Sequence, residues 1–432
     1  MSREIIYSGI EWLGSVPKNW KLERLQWHLE EVKESNDPVK TTQVLSLTNK
    51  LGVIPYEEKG EQGNKSKENL SEYKLAYPDT IVANSMNILI GSVGLSRYFG
   101  CVSPVYYVYK GRGSTNIEFF NFLFQTQEFQ KELRRYANGI LEIRLRVSSN
   151  NILKRYVPIP TMEEQVKIVE LLKDKIAKID ELIANQEKQI SLLDDYKIQL
   201  ISKEVYKKSV KNRVDTAIEG IRSIPSNWDI IPIKQLFDLG KGLPITKDNL
   251  VDSGAKVISY GQIHAKYNKS IFINDDVFRF VPEGYLDSNP ECLVGKHDFI
   301  FADTSEDLKG VGDFIHIDKE DLIFAGYHSI TLKNKGKFNP FYLSYQFMTD
   351  DWRCFFRCRV GGVKLFSLTK KLLNQGFVVL PPIEVQNQIV DILNRNCESI
   401  DRLIKIKQEK IEKLQEYKKS LIYEYVTGKK EV

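Results

Sequence analysis

Three features of the sequence resemble parts of known active sites, and none of them is complete. Residues 240–247 have the glycine and lysine content of a phosphate-binding loop, but they lack its Gly-Lys-Ser/Thr ending and contain a proline. Asn339 opens an Asn-Pro-Phe-Tyr run that lacks the second proline of Asn-Pro-Pro-Tyr motifs, so we predict that it caps a helix. The five histidines show no metal-ligand spacing. The sequence therefore favours a binding protein over an enzyme, with no catalytic or metal-binding residue.

Basic, amide and aromatic side chains stand at comparable places in the two halves of the chain. Arginine can bind guanine through two hydrogen bonds in the major groove, and lysine or arginine can neutralise phosphates. The alternative is ordinary surface arginines near helix ends and ordinary turn chemistry at strand ends. The candidate DNA-binding residues are Asn84, Asn87, Arg97, Arg134, Arg144, Arg146, Tyr260, Gln262, Arg357, Arg359 and Lys364.

Each group of candidates precedes a long segment, and the two long segments repeat each other. One shift of 386 − 165 = 221 positions aligns them without a gap. The aligned pairs include Gln165 with Gln386, Asp180 with Asp401, Tyr196 with Tyr417, and Leu200 with Leu421. A duplicated segment within one chain favours pairing of the two copies inside the molecule over a general dimerisation coil.

Apolar residues recur on a heptad in both copies, which predicts two long helices of about 70 Å each. Gln186 and Lys407 interrupt the heptad at matching positions. The first seam position holds Leu172, Ile179, Leu193 and Leu200, and in the second copy Leu393, Ile400, Leu414 and Leu421. The second seam position holds Ile168, Leu182 and Tyr196, and in the second copy Ile389, Leu403 and Tyr417. In that copy Ile404, Ile411 and Tyr425 widen the apolar stripe.

A second repeat marks the start of each half. Pro17-Lys18-Asn19-Trp20 matches Pro225-Ser226-Asn227-Trp228 at a shift of 208, which predicts a turn followed by a buried aromatic anchor. The region between this marker and the long helix, here called a head, differs in sequence between the halves. Each head is predicted to contain short strands and one helix, at about Ile117–Arg135 and Phe341–Phe356. We predict four segments: residues 1–160 contain the first head, 161–208 form the first long helix, 209–381 contain the second head, and 382–432 form the second long helix.

Composition places the chain among globular proteins of the cytoplasm. It has 432 residues, 42% of them hydrophobic and 28% charged. No apolar run is long enough to span a bilayer, the N-terminus does not resemble a signal peptide, and the five cysteines are scattered. The two long segments carry net charges of −1 and +1, so the whole excess of +5 lies in the heads. A basic head is suited to a polyanion.

The long helices and their start sequences resemble the specificity subunits of type I restriction–modification systems over essentially the whole chain. The shared start runs from Pro160 to Ile168 and from Pro381 to Ile389, with Val385 where an acidic residue is commoner. The resemblance implies an α+β fold with two α/β target recognition domains, two long antiparallel helices forming a coiled coil, and a pseudo-two-fold internal repeat.

The resemblance also implies a function without catalysis in this chain. Each head is expected to read one half of a split, asymmetric double-stranded DNA site. The helices are expected to set the spacing and to dock two methyltransferase subunits, joined by restriction subunits. S-adenosylmethionine, ATP and magnesium would belong to those partners, and no membrane is involved. The alternative from another class is a two-headed coiled-coil scaffold that binds proteins and no DNA.

Overall fold

The computed structural model describes residues 3–48, 52–59, 69–139, 145–265, 268 and 270–432. The chain divides into two compact units, Met1–Glu187 with Gln408–Val432, and Lys188–Lys407. Each unit contains one head and part of each long helix. Among the described residues, no helix combines the length and apolarity that crossing a bilayer requires.

The two long helices are Met162–Val205 and Ile383–Val426, here called the central and the C-terminal helix. Each is 44 residues long, as the heptad predicts. Both begin with the same contact, because Gln165 Nε2 donates to the Pro160 carbonyl at 3.1 Å and Gln386 Nε2 donates to the Pro381 carbonyl at 2.8 Å. The buried glutamine thus binds one carbonyl just before each helix, which explains its place in the repeated start sequence.

Both long helices also end in the same way. Lys207 and Gly428 adopt the left-handed conformation, with φ of 41° and 71°, and they lie 428 − 207 = 221 positions apart. A left-handed residue after the last turn is a common helix terminator. At Gly428 a Cβ atom would lie 2.4 Å from Pro17, so glycine is also required there by close packing.

The described parts of the first head contain a four-stranded antiparallel sheet with the order Leu29–Glu31, Tyr106–Gly111, Thr80–Asn84, Val93–Ser96. The other strands before the central helix are Ile5–Tyr7, Ser15–Pro17, Lys21–Arg24, Leu45–Thr48, Gly52–Pro55, Lys74–Ala76, Gly100–Val102 and Tyr156–Ile159. The helices of this head are Ile117–Phe124, Gln127–Arg134 and Ser149–Leu153, with short 3-10 turns at Leu25–Trp27, Tyr56–Lys59 and Ile88–Ile90.

The described parts of the second head repeat this sheet in the order Phe237–Lys241, Ser329–Asn334, Phe299–Ala302, Phe314–His316. It has a further sheet of Arg279–Val281, Ala255–Ile258, Ile323–Ala325 and Leu293–Val294. The other strands between the two long helices are Arg213–Ile218, Ile221–Pro225, Asp229–Pro232, Thr304–Ser305, Phe366–Ser367 and Phe377–Leu380. The helices of this head are Ile233–Leu236, Tyr260–Ile263, Tyr285–Ser288, Pro340–Met348, Asp350–Arg357 and Lys370–Leu373, with 3-10 turns at Lys247–Asn249, Asp275–Val277 and Pro290–Cys292.

The predicted turn and aromatic anchor open both heads. The amide of Trp20 donates to the Pro17 carbonyl at 3.0 Å, and the amide of Trp228 donates to the Pro225 carbonyl at 3.1 Å. Both indoles are buried, being 5% and 8% exposed. The strand that follows each tryptophan pairs with the last strand of its own head. Each head therefore closes on itself before the long helix begins.

The prediction of one helix in each head is wrong, because each is two helices. The break falls at Thr126 and Thr349, which have extended backbones with ψ of 135° and 143°. Their hydroxyls donate to the carbonyls of Leu123 and Gln346 at 2.8 and 2.6 Å. Because each threonine bonds the end of the preceding helix and starts the next, the chain changes direction there. Asn339 caps Pro340–Met348, as predicted.

The long helices pack antiparallel within each unit. In the first unit Ile168, Leu172 and Ile179 share a core with Leu421 and Tyr425. In the second unit the core contains Ile201 and Val205 of the central helix with residues of the C-terminal helix, namely Ile389, Val390, Leu393 and Cys397. Apolar burial of this kind stabilises a helix pair by about 1.5–3 kcal/mol for each large side chain.

The prediction for the second seam position is wrong along the middle of the helices. Leu182, Tyr196, Leu403 and Tyr417 are 46%, 55%, 49% and 49% exposed. The helices instead use the neighbouring heptad position, which holds Val169, Ile176, Ile183 and Ile190, and in the second copy Val390, Cys397, Ile404 and Ile411, all buried or half-buried. The first seam position is buried or half-buried throughout, as predicted. Rotation of the pairing face leaves four apolar side chains facing solvent.

Candidate nucleic-acid interface

In the first head, two candidate segments meet at one edge of the four-stranded sheet. The strand Thr80–Asn84 ends in a turn, and the carbonyl of Ser85 in that turn accepts a hydrogen bond from the amide of Val147 at 3.3 Å. The neighbouring Arg146 pairs through its backbone with Asn138 at 2.8 and 2.9 Å. Exposed Arg146 therefore lies beside the turn that carries Asn87, which is also exposed.

Asn84 and Asn87 have different environments. Asn84 is 8% exposed, and its Oδ1 accepts a hydrogen bond from the amide of Met86 at 3.1 Å. Its side chain therefore builds the turn. Asn87 precedes the turn Ile88–Ile90, and its carbonyl accepts from Ile90 and Ser92 while its side chain stays exposed. Of the two amides, that of Asn87 is available to a base edge.

The structure separates Arg97 from these residues. Register pairs Ala83 with Val93 and Thr80 with Ser96, so Arg97 follows the far end of the strand that ends in Asn84. Arg134 is exposed at the end of the helix Gln127–Arg134. Arg144 lies outside the described residues. The sheet therefore brings together Asn87 and Arg146, and it places Arg97 at the opposite edge.

At the corresponding edge of the sheet in the second head, the backbone of Asp303 forms hydrogen bonds with two other segments. Asp303 follows the strand Phe299–Ala302. Its amide donates to the His328 carbonyl at 3.1 Å, and its carbonyl accepts from the amide of Leu368 at 2.8 Å. The Tyr260 amide donates to the Tyr327 carbonyl at 3.3 Å. These bonds gather the start of the helix Tyr260–Ile263, the turn at His328 and the loop that contains Lys364.

The side chains at this edge are aromatic, polar and basic. The Tyr260 and His328 rings meet edge to face, with centroids 5.4 Å apart, and His328 Nδ1 lies 3.3 Å from Asp303 Oδ1. Lys241 ends the first strand of the sheet at the same edge and is exposed, as is Lys364. Neither lysine forms an ion pair within the described part of the chain. Tyr260 is half-buried and His328 is exposed, and such aromatic rings at the same edge as two exposed lysines suit a nucleic acid.

Three of the predicted residues of the second head take part in structural contacts. Gln262 Oε1 accepts from the amide of Ser259 at 3.1 Å in a capping box. Arg357 donates to Asp350 at 2.6 Å and to the Lys309 carbonyl at 2.6 Å. Arg359 pairs with Glu219 and lies over the Phe355 ring at 4.1 Å. These contacts favour structural roles for the two arginines, and Gln262 keeps only its amide nitrogen for a ligand.

A charged network beneath this edge holds it in place. His264 Nδ1 donates to Asp313 Oδ2 at 2.9 Å, and His264 Nε2 donates to the Thr304 carbonyl at 2.8 Å. Arg353 donates to Asp313 at 2.6 Å. Burial opposes charge on His264, but its bonds to Asp313 and Thr304 outweigh burial and raise its pKa. Burial likewise opposes charge on Asp313, and His264 with Arg353 lowers its pKa. The network is joined to Tyr260 through the backbone, because the amide of His264 donates to the Tyr260 carbonyl at 3.0 Å.

Comparison with known proteins agrees with this architecture. The model of the type I restriction modification DNA specificity domain matches residues 225–416. The chain is 25% identical over 277 residues to the type I restriction enzyme MjaVIII specificity subunit of Methanocaldococcus jannaschii, covering 63% of this chain and 61% of that relative. It is 22% identical over 456 residues to the putative MjaX specificity subunit of the same organism, covering 96% and 95%. The chain is therefore similar to specificity subunits of type I restriction–modification systems, in one case over nearly its whole length.

A solved structure gives the same fold. A chain from a study of complex assembly and conformational transition of the type I restriction–modification system aligns with a TM-score of 0.66 at 13% identity. The alignment covers 95% of this chain and 98% of that chain. The expected α+β fold, with paired long helices and an internal repeat, is confirmed.

Sequence reasoning missed three residues that the structure places at the candidate interface. Lys241 falls within the incomplete phosphate loop, and neither His328 nor Asp303 is among the candidate DNA-binding residues. They come together because the sheet order places the strands Phe237–Lys241 and Phe299–Ala302 on either side of Ser329–Asn334. The available signal was the strand ends themselves, since in an antiparallel sheet the residues that follow one strand meet the residues that precede its neighbour.

Proposed function

We propose that this specificity subunit recognises a bipartite, asymmetric double-stranded DNA site in the cytoplasm and has no catalytic site of its own. One observation carries the proposal. The two heads share the same four-stranded sheet order but present different side chains at the same sheet edge. Asn87 and Arg146 stand at that edge in the first head, and Tyr260, His328 and Lys364 stand there in the second. Two heads with the same sheet but different side chains at the edge proposed to contact DNA are suited to two different half-sites.

The same chain would dock two methyltransferase subunits and, through them, restriction subunits. Support comes from the exposed second seam position. Leu182 and Tyr417 belong to the first unit, and Tyr196 and Leu403 occupy the equivalent places in the second. Four large apolar side chains at repeat-related positions leave two equivalent apolar patches, as two copies of one partner require. S-adenosylmethionine, ATP and magnesium would be bound by those partners.

The proposal is tested by expressing the chain with its methyltransferase subunits and sequencing the methylated DNA. We expect one motif with two dissimilar halves at a constant spacing. Purified complex should bind that duplex in preference to random DNA, and affinity should fall steeply with salt because phosphate contacts release counterions. Binding that ignores sequence, or that is flat with salt, would contradict the proposal and favour a protein-binding scaffold.

Two arginines of the first head provide a matched pair for the interface. Arg146→Ala should weaken binding to the duplex that carries the methylated motif, here called the selected duplex, by roughly tenfold. The variant removes a contact at the sheet edge that is proposed to contact DNA. Arg97→Ala removes the same charge at the opposite edge of the sheet and should change affinity by less than about twofold. Equal losses in both variants would place the interface elsewhere on the head.

A further inference from the structure

The loop 361–365 presents an apolar tip that folding does not explain. Val363 is 95% exposed and Leu365 is 58% exposed, while Lys364 between them is also exposed. A side chain that is exposed in the folded state gains almost nothing from burial, so Val363 contributes little to stability. The loop is nevertheless built to project, because Gly362 has a φ of 144° and a Cβ there would lie 1.9 Å from the Leu365 carbonyl.

The loop is rooted in the candidate interface of the second head. Directly after it, Phe366 and Ser367 pair with Ser305 and Thr304, which follow Asp303 at the edge of the sheet. The loop therefore starts from the same sheet edge as His328, because Asp303 bonds both Leu368 and His328 through its backbone. The loop therefore belongs to the sheet edge that is proposed to contact DNA, and not to the surface of the long helices.

Charges near the loop favour contact with bases over contact with the DNA backbone. Lys364 can neutralise one phosphate, but Glu306 and Asp307 are exposed on the turn that follows the paired strand Thr304–Ser305. Two carboxylates repel phosphates, so an extended backbone contact is unfavourable there. A projecting apolar tip beside them reaches its best environment inside a groove. The apolar group that bases present in the major groove is the thymine C5-methyl.

We propose that Val363 contacts a thymine C5-methyl in the half-site read by the second head, with Lys364 on a neighbouring phosphate. This inference rests on the proposed function and names one specificity-determining residue within it. Apolar contact with that methyl distinguishes thymine from cytosine, which lacks it.

The test uses the selected duplex with each thymine of the second half-site replaced in turn by uracil, which keeps the base pair and loses only the methyl. The full-length chain is assayed with its methyltransferase subunits. For the native chain, one replacement should weaken binding about fourfold, the factor expected for one buried methyl. The same replacement should have no effect on Val363→Ser.

Leu322→Ser is the matched control, because Leu322 is 63% exposed in the same head and precedes the strand Ile323–Ala325 of the other sheet. It should respond to uracil as the native chain does. If no replacement distinguishes the native chain from Val363→Ser, or if the half-site contains no thymine, the assignment is overturned while DNA recognition stands. If the native chain selects no duplex at all, the proposed function itself fails.

Discussion

Lys197 of the central helix donates to both carboxylate oxygens of Asp401 on the C-terminal helix, at 2.7 and 2.8 Å. A shift of 221 positions converts this pair into Asp180 and Lys418, which are bonded at 2.7 and 2.8 Å in the other unit. The same residues therefore exchange roles between the two helices. Each unit contains one copy of the ion pair, as a pseudo-two-fold repeat requires.

The two ion pairs differ in burial, so their removal should differ in cost. The Lys197 side chain is 9% exposed, whereas that of Lys418 is 31% exposed, and both aspartates are about half exposed. Asp401→Asn leaves a buried ammonium without its partner and should lower the free energy of unfolding by about 2 kcal/mol. Asp180→Asn should lower it by less than about 1 kcal/mol. Urea denaturation measures both, and a larger loss for Asp180→Asn would contradict the burial argument.

The exposed Leu and Tyr positions should control methyltransferase docking. Leu182→Ser with Tyr417→Ser removes the patch of the first unit, so we expect the complex to lose one of two methyltransferase subunits. Adding Tyr196→Ser and Leu403→Ser should remove both. Sedimentation of the purified complex gives the stoichiometry.

Leu192→Ser is the control for this docking prediction. Leu192 is 57% exposed on the same helix, but its repeat position holds Lys413, so it belongs to no duplicated patch. It should leave the stoichiometry unchanged. Two methyltransferase subunits retained by the fourfold variant would show that the partner docks elsewhere.

How far the long helices could be predicted from the sequence differs by position. The prediction for the first seam position was correct, because its residues are apolar in every turn but one and face the other long helix in both units. The second position is equally apolar at Leu182 and Tyr196, yet it faces solvent. Apolar spacing alone does not tell which of two adjacent faces meets the other helix and which remains for another protein. That choice depends on helix rotation, which side chains elsewhere in the unit decide.

The candidate interface was less predictable than the helices, for a different reason. Strand ends such as Asn84 and Tyr260 were recognised, but which ends share an edge depends on pairings between distant residues. Asp303 meets His328 and Leu368 only because the sheet order brings them together. Sequence also could not show that Arg357 and Arg359 bind Asp350 and Glu219.

Buried His316 should make the second head sensitive to acid. Burial lowers its pKa from 6.5 to about 3. The unfolded chain therefore binds a proton below pH 6.5 that the folded chain does not, so stability is lost as pH falls from 6.5 towards 3. At pH 5 the loss amounts to about 2 kcal/mol. His316→Phe keeps an aromatic ring against Phe299 and should abolish this part of the slope in thermal melts from pH 7 to pH 5.

His264 should make the stability of the same head depend on pH in the opposite direction. Its pKa is raised, so its contribution to stability is complete below pH 6.5 and is lost as pH rises through the folded-state value. His264→Asn should therefore flatten the melting temperature above pH 6.5 and leave the acid slope of His316 intact. An unchanged profile above pH 6.5 would show that His264 is not coupled to Asp313 in solution.

If the helices set the distance between half-sites, shortening both by one heptad should change the spacer alone. Deleting residues 184–190 and 405–411 removes matching segments that lie between the two ion pairs, so Lys197 with Asp401 and Asp180 with Lys418 remain in register. Seven residues shorten a helix by about 10 Å, which equals roughly three base pairs. Methylated motifs should keep both half-sites and lose about three base pairs of spacer. An unaltered spacer would contradict the spacing role.

The most direct test makes the two heads identical. Residues 229–377 are replaced by residues 21–156, which span the same elements from the strand after the tryptophan to the last strand of the head. The complex is expressed with its methyltransferase subunits, and the methylated motif is determined by sequencing. We expect a symmetric motif in which one original half-site occurs twice as an inverted repeat. A motif that keeps the original second half-site would contradict the claim that each head reads its own half of the target.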